Sequence, residues 1–142
     1  MAKKESTVNR TIGGQFETEL CELLAEHGWW AHNMAQNQVG QPADIIAVKK
    51  NTAVLIDCKV CKNNIFSFSR IEANQDAAMT IWEKRVNHFC YFALKLDDGT
   101  ILMASYDELK LMYLHGESAL RDLRSEYFYT LEGWLDAIES RF

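Results

Sequence analysis

Polar residues interrupt two neighbouring apolar segments of the sequence, where a buried strand would carry apolar side chains. The first segment, "DIIAV", opens on Asp44, and the second, "AVLIDCKV", contains Asp57 and Lys59. Because successive side chains of a strand point to opposite faces, Asp57 and Lys59 share one face, about 7 Å apart. Residues 49–52 predict a short turn, and pairing around it brings Asp44 to within a residue or two of Asp57. We therefore expect both carboxylates and the lysine to meet at one end of a sheet.

Two predicted helices each carry one polar side chain inside an apolar stripe. Glu17 has helical spacing to the apolar residues Leu20, Cys21 and Leu24. Gln75 lies in the same way among Ile71, Ala78, Met79 and Trp82. A buried charge costs several kcal/mol unless it is paired or bound to a metal, so exceptions of this kind tend to mark functional sites. Any one of them alone is more often a salt-bridge partner or a satisfied amide, and it is their convergence that favours a site.

The chemistry that such a convergence supports is the hydrolysis of a phosphodiester. Carboxylates form a hard oxygen site that suits Mg²⁺ or Mn²⁺ better than zinc. A lysine beside it can orient or deprotonate the attacking water and offset negative charge at phosphorus. The histidines show no metal-ligand spacing in the sequence: His27, His32, His88 and His115.

The ordered set of acid, acid and lysine resembles the PD-(D/E)xK nuclease superfamily, and within it the RecU-type Holliday junction resolvases, especially the short phage versions. The resemblance is carried by "GGQFETEL", "GQPADIIAV…LIDCKVCK" and "FSFSRIEANQDAAM", and it extends over about residues 13–105. It implies an α/β (α+β) fold with a restriction-endonuclease-like core, in which helices flank a central mixed β-sheet. It also implies a homodimeric, Mg²⁺-dependent endonuclease that acts on branched DNA in recombination, repair or phage DNA processing.

The resemblance also implies a role for each polar residue. Asp44 and Asp57 would be metal ligands, and Glu17 would complete the metal site. Lys59 would orient the water, and Gln75 would steady the site or the DNA backbone. The chain departs from the family in carrying Asp57 where a glutamate is common and in having a short 49–52 turn without an insertion. Three alternatives remain: another nuclease of the superfamily (restriction-like or flap-type), a non-catalytic DNA-binding module, and a plain salt-bridge cluster.

Predicted elements alternate between helices and strands along the chain. Helices are predicted over Gly14–His27, over Arg70–Arg85 and from Asp107 onwards with a break near Gly116. Strands are predicted at "WWAHNMA", Asp44–Val48, Ala53–Val60, "NHFCYFALKL" and "TILMASY", with residues 53–60 and 88–96 central because they are apolar on both faces. Loops are predicted at "QNQVGQPA" and "KNNIFSFS". We predict a flexible basic arm over residues 1–13 and a single domain over residues 14–142.

The net charge of −5 argues against general nucleic-acid coating, but the charge is unevenly distributed. Residues 1–70 carry eight Lys/Arg and seven Asp/Glu, whereas residues 71–142 carry seven and thirteen. DNA phosphates would therefore meet the cationic residues of the first half other than Lys59, which are Lys3, Lys4, Arg10, Lys49, Lys50, Lys62 and Arg70.

The remaining composition predicts an intracellular protein, and the resemblance implies the cytoplasm of a bacterium or of a phage-infected host cell. The sequence has no apolar run of the roughly 20 residues needed to cross a bilayer, and its start lacks the apolar stretch of a signal peptide. Cys58 and Cys61 form a lone C-x-x-C without a matching second pair. We therefore expect free thiols, in preference to a zinc or iron–sulfur site.

Overall fold

The structure is a computed structural model that describes residues 2–34, 43–124 and 126–142, with side chains from residue 12 onwards. Four helices are present in the described part: α1 (Ala2–Glu26), α2 (Ala73–Arg85), α3 (Tyr106–Leu114) and α4 (Leu131–Glu139). The strands are β1 (Trp30–Asn33), β2 (Ile45–Lys49), β3 (Thr52–Val60), β4 (Phe66–Ser67), β5 (Cys90–Lys95), β6 (Ile101–Ser105), β7 (Ala119–Leu120) and β8 (Tyr129–Thr130). No helix in these ranges combines the length and the apolarity needed to cross a membrane.

A six-stranded mixed sheet forms the centre of the molecule, in the order β1-β2-β3-β5-β6-β8. All its pairs are antiparallel except β3 with β5, which are parallel and are connected through α2. A parallel pair needs such a crossover, because a tight turn can join only antiparallel strands. Strands β4 and β7 form a separate two-stranded ribbon. The predicted α/β fold with a central mixed sheet is confirmed.

Helices cover both faces of this sheet, as the apolar residues on both faces of β3 predict. On one face, Ile56 of β3 packs in a cluster with Leu24 of α1 and Trp134 of α4. On the other face, Leu55 packs in a cluster with Met79 of α2 and with residues of α3. Asp57 lies two residues after Leu55, so its side chain projects towards α2.

The β2–β3 hairpin fixes the register that the site depends on. Lys49 pairs with Thr52 and Ile45 with Ile56, so only two residues form the turn. Lys50 adopts a left-handed conformation there, with φ of 55°. A two-residue turn locks the pairing, because a slip by one residue would move every side chain to the opposite face.

The structure differs from the sequence-based prediction at the start of the chain. Helix α1 begins at Ala2 rather than Gly14, so residues 2–13 of the predicted arm are helical. A glycine costs about 1 kcal/mol in a helix interior, which a 25-residue helix tolerates at the Gly13–Gly14 pair. The side chains of Lys3, Lys4 and Arg10 are outside the described part of the structure. Residues 36–42 of the predicted "QNQVGQPA" loop are outside it as well.

Smaller differences concern short elements. Helix α2 begins at Ala73 rather than Arg70, because a 3-10 turn occupies residues 68–70. The predicted loop "KNNIFSFS" contains β4, whose partner β7 lies in the region predicted to be helical from Asp107 onwards. That region also contains β8, and α3 ends near Gly116, where φ is 99°. Two-residue strands carry no alternation that a sequence pattern could reveal.

Candidate active site

Asp57 is the centre of a cluster of polar side chains at the carboxyl end of β3. It is fully buried, with an exposed fraction of 0%. Its Oδ1 accepts a hydrogen bond from Nε2 of Gln75 at 3.0 Å. Its Oδ2 lies 3.0 Å from Nζ of Lys59, two residues further along the same strand. Asp57 and Lys59 therefore share one face of β3, as predicted.

Gln75 connects the end of the sheet to the first turn of α2. Its Oε1 accepts from the backbone N–H of Glu72 at 3.2 Å and lies 3.4 Å from Nζ of Lys59. The Glu72 side chain in turn accepts from the backbone of Gln75, which completes a capping box at the helix N-terminus. Since the same side chain also donates to Asp57, the start of α2 is tied to the cluster.

Asp44 lies beside Asp57 on the neighbouring chain segment, one residue before β2. Its backbone N–H donates to the carbonyl of Ile56 at 3.1 Å, which extends the β2–β3 pairing by one residue. Its Oδ2 accepts from the backbone N–H of Cys58 at 2.7 Å. These main-chain contacts fix the Asp44 carboxylate against the middle of the β3 segment that carries Asp57 and Lys59.

Glu17 joins the cluster from α1. The pKa of its carboxyl group is raised to about 7, first by burial and then by the negative charge of Asp44, while Asn33 and Lys59 act in the opposite direction. Asn33 ends β1 opposite Ile45, and no sequence pattern predicts its contact with Glu17. Only the β1–β2 register places this asparagine beside the acids.

Burial also raises the pKa of Asp57 to about 8, and the charge of Asp44 adds to this, whereas the Lys59 ammonium lowers it. Without a further cation, the cluster therefore retains protons near neutral pH. A divalent cation would replace these protons and supply the missing positive charge. The structure thus brings together all five residues predicted from the sequence, which are Glu17, Asp44, Asp57, Lys59 and Gln75.

The cationic residues predicted to contact DNA whose side chains the structure describes lie at the two ends of the β2–β3 hairpin. Lys62 is exposed just beyond β3, and Arg70 donates to the carbonyl of Val60 at 2.8 Å, so both lie near the cluster. Lys50 is exposed in the opposite turn, and Lys49 beside it forms a 2.8 Å salt bridge with Glu139 of α4. That turn is about 16 Å along the strand from Asp57. Phosphate contact by any of these residues remains a prediction.

The four cysteines, all of which lie in the described part of the chain, form no disulfide. Burial raises the pKa of the Cys58 thiol, and it raises that of Cys61 to about 11. A thiol that keeps its proton is a poor nucleophile, so these pKa values indicate unreactive buried thiols.

One histidine does lie beside acids in the folded chain. His88, just before β5, has its Nδ1 3.0 Å from Oε2 of Glu83 and 3.2 Å from Oδ2 of Asp107. The fold assembles this exposed cluster from three separated positions, so no local spacing could reveal it. It lies near Ala53, at the opposite end of β3 from Lys59, because β5 runs parallel to β3.

Replacement of Gln75 by alanine is expected to lower the free energy of unfolding by about 1–3 kcal/mol, because it removes partners of Asp57 and Lys59 and one half of the capping box. Urea denaturation of both proteins at pH 7 would measure the change. Lys84→Ala, at an exposed position of the same helix, is the matched control and should change stability by less than about 0.5 kcal/mol. Equal effects of the two substitutions would contradict a structural role for the Gln75 side chain.

Comparisons with known proteins reveal the family to which the chain belongs. The family model described as "Archaeal holliday junction resolvase (hjc)" matches residues 8–115. The solved structure of Hjc from Archaeoglobus fulgidus, a Holliday junction resolvase from an archaeal hyperthermophile, is similar with a TM-score of 0.55 and 23% sequence identity. The similarity covers 66% of this chain and 75% of that one. No curated protein matches significantly. The family match covers most of the chain, including every residue of the cluster, and the chain therefore belongs to the archaeal Holliday junction resolvase (Hjc) family of the PD-(D/E)xK nuclease superfamily.

Proposed function

We propose that the protein is a Mg²⁺-dependent endonuclease that hydrolyses phosphodiester bonds in branched DNA, with the four-way junction as its substrate. The observation that carries this proposal is the buried cluster of Asp44, Asp57 and Lys59 at one end of the sheet. Membership in the Hjc family supports a junction-cleaving nuclease over a restriction-like or flap-type enzyme. It also supports a role in recombination.

The donor set of the cluster fits a hard divalent cation, Mg²⁺ or Mn²⁺. Oδ2 of Asp57 has the Lys59 ammonium 3.0 Å away but no well-directed hydrogen bond, so it retains a lone pair for a cation. Asp44 and Asp57 would hold the ion, and Glu17 would complete the site directly or through a water. When bound, the cation would polarise the phosphate and make a water more acidic.

Lys59 is positioned to act on the attacking water and on the charge that develops at phosphorus. Its ammonium is held by Asp57 Oδ2 at 3.0 Å and Gln75 Oε1 at 3.4 Å, and its side chain is only 12% exposed. A donor fixed in this way loses little entropy when the reaction proceeds, which is how preorganised charge accelerates phosphoryl chemistry. Gln75 is a positioning residue, because it orients both Asp57 and Lys59.

A non-catalytic DNA-binding module of the same fold is a weaker proposal. Burying carboxylates against a single lysine costs stability unless the site gains something from it. A binding module has no need for such a cluster, since exposed cations suffice to hold phosphates. The proposed function includes a homodimer, which would cut both strands of a junction symmetrically. We also propose a relationship to the RecU-type resolvases and a role in phage DNA processing.

Cleavage of a labelled four-way junction, but not of a linear duplex with the same arm sequences, is the expected result in Mg²⁺. EDTA should abolish cutting, because the carboxylate cluster then lacks its cation. Products resolved on a denaturing gel, with each strand labelled in turn, would reveal whether opposing strands are cut symmetrically. Cutting of the duplex at the same rate would instead support a restriction-like nuclease, and binding without cutting in Mg²⁺ or Mn²⁺ would support the module.

A further inference from the structure

An aromatic pair lies exposed on β1, at the free edge of the central sheet. Trp30 is 62% exposed, which is unusual for so large an apolar side chain. The imidazole of His32 is stacked on it, with ring centroids 5.8 Å apart and ring planes 11° from parallel. The site described above uses neither residue.

The pair lies on the same face of the sheet as Asp57. Ala31, between the two aromatic residues, packs against the α1 side of the sheet, so Trp30 and His32 point to the α2 side. His32 pairs with Ile46, which pairs with Leu55, and Asp57 is two residues beyond Leu55. With strands about 4.8 Å apart and about 3.3 Å per residue, the pair lies roughly 12–16 Å from Asp57.

No helix of the described residues covers this part of the face. Helix α2 packs over β5 and the end of β3, and the β1 and β2 residues on this side, including Ile46 and Val48, are only partly buried. Among the described residues, the face of β1 and β2 therefore connects the acidic cluster with the aromatic pair, and the indole is exposed for a further ring to stack on it.

We propose that Trp30 and His32 form a stacking platform for one unpaired nucleobase of branched DNA. This inference rests on the proposed function and names a contact within it. Bases inside a duplex stack on one another and offer only their edges, whereas a base displaced at a branch point offers a free π-face. An exposed aromatic ring therefore discriminates branched from linear DNA.

The spacing fits a base on the strand that is cut. Phosphates along one strand of a duplex are separated by about 3.4 Å of helix axis. If the strand keeps this duplex rise up to the displaced base, a distance of roughly 12–16 Å corresponds to a base about three to five nucleotides from the scissile phosphate. The platform would then set the distance between the branch point and the cut.

The test uses the full chain and four-way junctions that carry 2-aminopurine at successive positions near the branch, with Ca²⁺ in place of Mg²⁺ to prevent cutting. The wild-type chain should quench the probe at one position by stacking. Trp30→Ala should abolish that quenching and weaken junction binding roughly five- to hundredfold, with duplex binding unchanged.

Trp30→Phe, which keeps a ring, should retain most of both signals. Tyr129→Ala removes another exposed aromatic side chain, at the opposite edge of the sheet, and should have no effect.

Unchanged quenching and junction affinity in Trp30→Ala would overturn the inference. Loss of self-association by Trp30→Ala in sedimentation, with quenching retained by the monomer, would also overturn it and assign the pair to a contact with a second copy of the chain. Cleavage in Mg²⁺ is measured separately on the wild-type chain. A wild-type chain that cuts junctions but never quenches the probe therefore refutes the platform and leaves the proposed function standing.

Discussion

Lys59→Ala is expected to lower the rate of junction cleavage by about 10²–10⁴-fold while junction binding stays within about threefold of the wild-type value. The ammonium group lies inside the cluster, 3.0 Å from Asp57 Oδ2 and 3.4 Å from Gln75 Oε1, rather than on the outer surface. Removal of one preorganised catalytic donor costs a factor of this size in comparable sites. Single-turnover cleavage in Mg²⁺, together with binding in Ca²⁺, separates the two quantities.

The variant is expected to remain folded. Without Lys59, the Asp57 carboxyl loses the cation that lowers its pKa, so it simply retains its proton to a higher pH. Gln75 Nε2 still donates to the neutral carboxyl group. A melting temperature close to that of the wild type at pH 6 would therefore accompany the loss of cleavage.

Lys62→Ala provides the matched control, because Lys62 is an exposed lysine three residues further along the chain. Its substitution should weaken binding modestly and reduce the salt dependence of binding by about one phosphate contact, with single-turnover cleavage at saturating protein unchanged. If Lys59→Ala instead behaved as Lys62→Ala does, Lys59 would be a phosphate contact, and the assignment of its catalytic role would be wrong.

Short-range geometry explains why most of the cluster could be predicted from the sequence. The placement of Asp57 and Lys59 on one face follows from the alternation along a strand, and the helical spacing of Glu17 follows from 3.6 residues per turn. Asp44 could be placed because the turn between β2 and β3 is short enough to fix the register. Each of these inferences spans fewer than 20 residues of chain.

The remaining features depend on contacts that no local pattern encodes. Asn33 reaches Glu17 only because β1 pairs with β2, and the 35–42 segment between them has no pattern that sets this register. Nothing in the sequence around Lys49 predicts an ion-pair partner, yet its ammonium group donates to Glu139 of α4, 90 residues further along the chain. The start of α1 at Ala2 was missed because a glycine pair resembles a helix boundary, although a long helix can absorb its cost.

The free energy of unfolding of the metal-free protein is expected to fall as the pH rises from about 5 to 8.5. In the folded chain the pKa of Asp57 is about 8 and that of Glu17 is about 7, against ordinary values of 3.8 and 4.5. At a pH between the ordinary pKa of such a group and its pKa in the folded chain, the folded state binds more protons than the unfolded state. Each increase in pH within that range therefore favours unfolding. Stabilisation that is complete below about pH 4 is therefore lost as the pH passes through 7 and 8, and the loss amounts to several kcal/mol, mostly from the buried Asp57.

Mg²⁺ is expected to reverse this loss at high pH and to have little effect at pH 5. The ion binds ionised carboxylates, so it must displace the protons that the cluster holds at low pH. Ligand binding to the folded state alone raises the free energy of unfolding by about 2.7 kcal/mol at a concentration a hundredfold above Kd. Urea titrations at pH 5 and 8.5, each with and without Mg²⁺, measure both effects.

Asp57→Asn isolates the contribution of the buried carboxyl group, because asparagine resembles the protonated acid and its Oδ1 can still accept from Gln75 Nε2. The variant should match the wild type at pH 5, exceed it at pH 8.5 without metal, and lose most of the Mg²⁺ stabilisation together with cleavage. Asp136→Asn, at an exposed position of α4, should leave the Mg²⁺ effect intact. Equal Mg²⁺ stabilisation of Asp57→Asn and the wild type would mean that the ion binds elsewhere. Asp57 would then be a structural partner of Lys59 and Gln75 and not a metal ligand.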